Sequence, residues 1–392
     1  MKRLSRSSQP NSARRRWSSL AVASVAVVGL AVSLSACAGE AGTKAPENKI
    51  AQGTWPSYYP SDYGTIVDAA KKEGGKLTIY SNTDQENWAP IFRDFQKKYP
   101  FVTNIQANNL DSDEVFQKQL SEMSTGNAPA DILVTNAVQA WAKYNSEPGR
   151  VLDYTSPEMA KLPDYAQLMP GVAAMSMDPV GLAYNKQLLG SDPTSIADLA
   201  KLVEADPGKF KGKITTRDVS GSFGFTVSKG FVDGDPDAWT ELEKILPSAR
   251  PETSSGTQID KITSGEYLAG FFISSAVAFP QEQKAAGIFS FVFPKDGTVV
   301  LGRGIGITPK GPHPATAKLF LDFVLSEEGQ NAVAEGGLTA YRDSVKQVDG
   351  LHTYQEIVDK AGESAIIRVP YKVTSDADVK AFTDKWNGLL GK

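Results

Sequence analysis

Two periods alternate through the first part of the chain. Residues 62–73 place Tyr63, Ile66, Val67 and Ala70 at helical spacing, and Gly74-Gly75 stops the run. Residues 85–98 set Trp88, Ile91, Phe92 and Phe95 on one face and end at Tyr99-Pro100. Residues 111–125 repeat the pattern with Val115, Phe116, Leu120 and Met123, and 137–145 predict a fourth helix. Between them, 76–80, 101–107 and 131–135 are short runs bounded by polar turns, which read as strands. This order predicts a mainly parallel sheet covered by helices on both faces.

Near the middle, Ala174 to Asn185 is apolar and extended, with Pro179 and Gly181 interrupting it. Neither residue suits the centre of a rigid element. The stretch therefore reads as a strand that leaves one α/β unit and enters a second. The second unit predicts a helix at 195–204, a strand at 213–215 and a polar loop at 216–224 leading into a helix at 225–231. A helix at 239–246 follows, then a polar loop at 252–257, a helix at 258–264 and a strand at 268–275. Residues 292–301 read as a return crossing, 316–325 as an amphipathic helix continuing into a shorter one, and 355–360 and 376–390 as helices outside the return segment. The expected architecture is α/β, with two lobes joined by two crossing segments and a cleft between them: 62–178 and 295–392 in the first lobe, 179–294 in the second.

Residues 1–36 fall outside this pattern. Lys2, Arg3, Arg6 and Arg14 to Arg16 precede an uninterrupted run of apolar and small residues from Leu20 to Leu34, short for a membrane span and suited to a signal peptide. The run ends in Leu34-Ser35-Ala36-Cys37, which holds the only cysteine of the 392 residues. The motif resembles a bacterial lipobox, with Cys37 lipidated and 37–61 a tether; plain secretory cleavage is the alternative. The arginine run also invites a twin-arginine reading, which the following residues fit poorly. Residues 1–36 hold six basic and no acidic residues, so the remaining 35 basic residues face 45 acidic ones, a net charge of −10. That balance argues against nucleic acid and against charge-driven binding to anionic lipid, and it leaves attachment to the lipid on Cys37. One cysteine excludes an intramolecular disulfide, and two histidines disfavour a histidine metal site.

In doubly covered sheets, ligands sit where strands run into helix beginnings. That singles out Ser81, Asn82 and Thr83 after the first strand, and Thr135 and Asn136 after the third. The same residues also suit helix capping. In the second unit, Ser220, Gly221 and Ser222 precede a helix and form a candidate anion seat, without the Gly-Lys-Ser/Thr ending of a P-loop. Arg217 either meets an anion there or pairs with Asp218 or another acid. Ser255 lies in the second polar loop. The tyrosine pair Tyr58-Tyr59 lies in the tether, where packing on the lobe surface is the expectation.

An ordered set of motifs carries a family resemblance over about residues 75–345. It comprises the lipobox, Gly-Lys-Leu-Thr-Ile-Tyr-Ser-Asn at 75–82, Pro-Ala-Asp-Ile-Leu-Val-Thr at 129–135 and Ser-Gly-Glu-Tyr at 264–267. Asp-Gly-Thr-Val-Val-Leu at 296–301 and Leu-Ser-Glu-Glu-Gly-Gln at 325–330 complete it. The set resembles extracellular solute-binding proteins of ABC importers, in the branch with ferric-iron, thiamine and 2-aminoethylphosphonate binders. The resemblance implies a type II periplasmic-binding-protein fold, hinge closure on one small-molecule solute, and delivery to permease subunits with their ATPase. It implies a monomer anchored outside the cytoplasm, with no catalysis and no cofactor.

Ferric-binding relatives carry adjacent tyrosines shortly after the Gly-Glu strand. Here Ser275-Ala276 fall at that position, with Ser274 before them, and none supplies a phenolate. The reading is therefore an organic anion, a carboxylate or phosphonate, held by neutral donors and one arginine, with no metal. Arg217 and Arg303, the latter between Gly302 and Gly304 on the return crossing, are the candidates for that charge. Ferric iron with displaced ligands and a polyamine or other cationic solute are the alternatives. An enzyme reading lacks machinery: no Gly-x-Ser-x-Gly occurs, Cys37 is consumed by lipid, and His313 and His352 lie in Pro-rich or loop contexts.

Overall fold

The computed structural model describes residues 55–347 and 350–392. The basic leader, the apolar run and Cys37 lie outside the described residues. The first lobe follows the predicted alternation: α1 (Gly64–Lys72), β1 (Lys76–Ser81), α2 (Gln85–Lys98), β2 (Asn104–Asn109), α3 (Glu114–Ser124), β3 (Ile132–Thr135) and α4 (Val138–Asn145). β1 pairs in parallel with both β2 and β3. After β4 (Gln167–Met169) comes β5 (Val172–Asn185), buried along its whole length.

The second lobe comprises α5 (Lys186–Leu189), α6 (Ile196–Ala205), α7 (Pro207–Phe210), β6 (Ile214–Arg217), α8 (Ser222–Gly234), α9 (Ala238–Ile245), β7 (Ala249–Glu252), α10 (Ser255–Thr263), β8 (Ala269–Ser274), α11 (Ser275–Lys284) and β9 (Phe289–Val292). The chain returns through β10 (Thr298–Ile307) to α12 (Pro314–Leu325), α13 (Glu327–Glu335), β11 (Thr339–Ala340), β12 (His352–Thr353), α14 (Tyr354–Ala361), β13 (Ile366–Arg368) and α15 (Asp376–Leu389).

β5 is the strand that joins the lobes, and it changes partners half-way. Val172 to Pro179 pairs antiparallel with β10, while Val180 to Tyr184 pairs antiparallel with β8. Pro179 has no N–H to give a ladder, and it is the last residue paired with β10. A Cβ at Gly181 would come within 2.5 Å of the Val292 carbonyl, so glycine is what lets β9 lie against β5 here. β10, antiparallel to β3 as well, is the second link. The result is the curled, two-lobed α/β fold with two crossings.

β8 carries an irregularity that sequence patterning does not reveal. Gly181 faces Ile273 and Leu182 faces Phe271, which leaves Phe272 as an extra residue with φ of 60°. A bulky side chain in the left-handed region costs energy. Its ring is held against Phe231, Phe271 and Trp386. α11 begins two residues after Ile273, directly after β8 ends at Ser274. The C-terminal helix lies elsewhere than the return segment suggested: α15 packs Phe382 and Trp386 against Phe225 and Trp239 of the second lobe.

The aromatic segment before α1 docks on the first lobe. Tyr58 and Tyr59 donate their hydroxyls to Glu158, which Arg342 Nη1 also meets at 2.7 Å. Tyr63 and Tyr154 donate to Asp322 at 2.7 and 2.8 Å.

Candidate functional site

A cavity of about 460 Å³ opens where strand ends of both lobes meet helix beginnings. Of the residues singled out from sequence, Asn82, Asn136, Arg217, Ser255, Ser274 and Arg303 line it.

On the first-lobe side these residues satisfy one another. The Arg303 guanidinium, 2% exposed, donates from Nε to Asp178 Oδ2 at 2.8 Å, and its Nη2 lies 2.7 Å from the same oxygen. Its Nη1 donates to Asn82 Oδ1 at 2.9 Å and to Thr83 Oγ1 at 3.0 Å. Asn82 Nδ2 in turn donates to Ser112 Oγ at 2.9 Å and Asn136 Oδ1 at 2.8 Å. Arg303 is thus neutralised by Asp178 and committed to holding Asn82 in place. Ser81, Thr83 and Thr135 stand behind the wall. Ser81 Oγ accepts from Trp88 Nε1 at 3.1 Å, and Thr135 Oγ1 accepts from the Ala137 N–H at 3.1 Å, so both serve local turns.

The second-lobe side is built from groups without partners. Arg217 ends β6, is 8% exposed, and has neither an Nε nor an Nη1 hydrogen-bond partner. Its guanidinium lies 4.7 Å from the centre of the Phe223 ring, a cation–π contact. Burial pushes its pKa down to about 10, and the charges of Asp111 and Asp218 pull the other way. At neutral pH it is a desolvated cation facing a cavity.

Beside it, α11 begins at Ser275 with no side chain capping its first turn, and Ala276 and Val277 line the cavity. First-turn N–H groups have no intrahelical acceptor and carry the positive end of the helix dipole. α10 adds Ser255 and Gly256 from its own first turn. Ser255 Oγ accepts from the Ser274 N–H at 3.1 Å, which ties the two helix starts together.

Ser220, Gly221 and Ser222 lie outside this lining. The Ser222 N–H donates to Asp113 Oδ2 at 3.1 Å and its hydroxyl donates to Asp113 Oδ1, so the start of α8 meets a carboxylate from the first lobe. The Ser220 N–H is taken by Asp218 at 2.9 Å.

Several lining residues escaped the sequence reading. Asp84 sits at the β1–α2 turn, and Asp111 and Glu114 at the β2–α3 turn. Asp111 and Glu114 follow the end of β2, the same kind of strand-end position as those after β1 and β3. The α11 start was missed because 268–275 read as strand alone and Pro280 interrupts the helical pattern that follows.

The profile of the bacterial extracellular solute-binding proteins matches residues 90–358. The chain belongs to that family. It is 25% identical over 290 residues to iron uptake protein A1 of Synechocystis sp., covering 67% of this chain and 74% of the relative. Among solved structures, the substrate-binding protein of an ABC transporter from Agrobacterium tumefaciens matches with a TM-score of 0.72 at 20% identity, covering 81% of this chain and 96% of its own. The periplasmic binding protein AfuA of Actinobacillus pleuropneumoniae, solved with fructose-6-phosphate, matches with a TM-score of 0.64 at 22% identity, over 81% and 99%. At these identities the structural matches establish the type II periplasmic-binding-protein fold. The chain is thus an extracellular solute-binding protein. Proteins of this family act outside the cytoplasm and bind solutes.

Within this solute-binding protein, the tyrosine pair is spent on structure. The Tyr59 phenol, half-buried and bonded to Glu158, is held protonated far above its ordinary range, and Tyr58 is raised by the same causes. Neither lines the cavity. Ser274 and Ala276, near the tyrosine positions of ferric-binding relatives, do line it. Among the described residues no group of three or more His, Cys, Asp or Glu is arranged to hold a metal ion. His313 Nδ1 lies 3.0 Å from Asp131 and His352 Nδ1 lies 2.9 Å from Glu356, both away from the cavity.

Proposed function

We propose that this solute-binding protein captures a small organic anion, a carboxylate or phosphonate, and delivers it to permease subunits with their ATPase. The observation that carries this is Arg217: a guanidinium more than nine-tenths buried, lining the cavity, with Nε and Nη1 unmatched. A buried charge without a partner is costly, and an incoming acid group removes that cost. The uncapped start of α11 supplies neutral donors beside it. Ser255, Ser274, Asn82 and Asn136 complete the polar lining, while Ser81, Thr83 and Thr135 act behind it. The proposed division is 62–178 and 295–392 against 179–294, corrected by α15, which packs on the second lobe, with closure about β5 and β10. The protein works as a monomer without catalysis or cofactor, held to the membrane by lipid on Cys37 after loss of 1–36, with 37–61 as tether.

Calorimetry of the purified protein against carboxylates and phosphonates tests the solute class; saturable binding to none of them rejects it. Intact mass of the membrane-extracted protein tests the anchor, since a lipidated Cys37 N-terminus adds acyl mass and Cys37→Ser removes it. A second reading, ferric iron, is favoured by the iron-uptake relative. A visible charge-transfer band on adding ferric citrate would support that reading, and a colourless protein would dismiss it.

A further inference from the structure

Where β5 and β10 cross between the lobes, their ladder slips. Gly302 faces Met177 and Gly304 faces Ala174, so Arg303 alone stands opposite both Met175 and Ser176. Side chains take the carbonyls around this irregularity, as buried backbone acceptors require. The Ala174 carbonyl accepts from Tyr341 Oη at 2.5 Å, the Met175 carbonyl from Gln330 Nε2 at 2.9 Å, and the Gly302 carbonyl from Tyr371 Oη at 2.6 Å. Gln330 and Tyr341 follow α12 in the first lobe. Tyr371 lies on the segment between β13 and α15, and α15 packs on the second lobe.

That segment meets both lobes in turn. β13 pairs in parallel with Thr298 to Val300 at the start of β10. Beside it, α8 of the second lobe approaches so closely that a Cβ at Gly230 would lie 2.7 Å from the Val369 side chain. The half-buried Tyr371 ring packs against the first-lobe apolar cluster holding Phe116 and Trp141, and against the second-lobe cluster holding Phe225 and Phe231. The Thr374 N–H then donates to Gln139 Oε1 of α4 at 3.0 Å before the chain leaves for α15.

We infer that residues 369–375 form a third link between the lobes, and that Tyr371 is the peg in it. The peg holds the arrangement seen here, in which Ser222 donates to Asp113 and Asn87 Nδ2 to the Ala276 carbonyl across the lobes. Two strands alone flex about their irregularity. A ring wedged between both apolar clusters and bonded to one strand at that irregularity must be displaced when they do. Tyr371 does not line the cavity. It is a positioning residue that acts through Gly302, next to Arg303, on the spacing of the cavity walls.

Double electron–electron resonance tests this, with spin labels at Lys97→Cys on α2 and Ala205→Cys on α6 in a Cys37→Ser background. Both labelled positions are exposed. No solute is needed, so the result is separate from the organic-anion reading. In Tyr371→Ala the interlobe distances should spread, and their mean should move by about 2 Å or more. Tyr371→Phe keeps the ring, loses only the bond to Gly302, and should fall between that variant and the parent. Phe95→Leu, a core change confined to the first lobe, should lower the melting temperature and leave the distances as in the parent. If Tyr371→Ala melts lower but keeps the parent distances, or if Phe95→Leu shifts them as much, the third link is overturned. Should Tyr371→Ala fail to fold, Tyr371→Phe decides alone, and parent-like distances overturn the link.

Discussion

Arg303 and Arg217 reach the same cavity from opposite sides, and both are more than nine-tenths buried. Arg303 comes from the crossing strand β10, with Asp178 of β5 against its Nε and Nη2 and Asn82 and Thr83 against its Nη1. Arg217 comes from the end of β6 and has an aromatic ring and two unmatched nitrogens, and the acids that act on it, Asp111 and Asp218, are not bonded to it. The first ties both crossing strands to a first-lobe loop; the second has no carboxylate bonded to it, which is why it is the proposed contact for a solute's acid group. What separates the structural arginine from the proposed recognising one is the bonded carboxylate, since both are almost fully buried.

Removing each arginine should therefore move different quantities. Arg303→Met leaves Asp178 buried and unpaired and strips a donor from Asn82 and Thr83. Breaking a buried pair from one side costs about 3–5 kcal/mol, which for a domain of this size lowers Tm by roughly 10 °C. A fall of under about 2 °C would mean that the pair is not what joins the strands. Arg217→Met removes an unpaired charge, so the melting temperature of the solute-free protein should stay level or rise. Affinity for an acid solute should drop about a hundredfold, or about 3 kcal/mol, the worth of charge-assisted bonds to a desolvated guanidinium. If both variants lose stability alike, the contrast is wrong.

The fold was legible because its signals are local. Helical spacing with Gly74-Gly75 and Tyr99-Pro100 at the stops places α1 and α2 to within a residue or two. Pro179 and Gly181 mark the point where β5 changes partners. The site was legible only in outline, because its chemistry depends on pairing across more than a hundred residues. Nothing near Arg303 in sequence announces Asp178, and nothing near Ser222 announces Asp113. The loop at 220–222 has the composition of an anion seat and does meet an anion, but one supplied by the chain itself. The bulge at Phe272 is defined only by the register of β8 against β5.

Asp322 offers an intermediate case, a buried charge held by neutral donors. Tyr63 and Tyr154 donate to its Oδ2, its Oδ1 has no partner, and burial pushes its pKa up to about 6 despite those hydroxyls. The folded value lies above the unfolded one near 3.8. Between the two the folded protein keeps a proton that the unfolded chain has released, so this group's contribution to stability falls as pH rises. Relative to Asp322→Asn, the parent should lose about 2–3 kcal/mol between pH 4 and pH 7, measured by urea unfolding at each pH. A difference that does not change with pH would show that the tyrosine hydroxyls compensate the carboxylate as well as Asp178 compensates Arg303.

The smallest effect asks whether the contact between Asp113 and the start of α8 belongs with the satisfied wall or the open one. Asp113 spans the lobes, and a carboxylate on a helix start contributes about 1 kcal/mol. If the contact acts as a clasp, Asp113→Ala makes closure harder, and affinity for an acid solute should fall up to about fivefold, with Arg217 still required. If Asp113 instead occupies a place that a second acid oxygen of the solute would take, the same substitution frees the Ser222 N–H and hydroxyl as donors. Affinity should then rise, most for phosphonates, whose extra oxygen can use the vacated seat. Calorimetry on Asp113→Ala with one carboxylate and one phosphonate separates the two by the sign of the change. The cross-lobe geometry favours the clasp, because the Asp113 carboxylate already fills both donors that Ser222 presents.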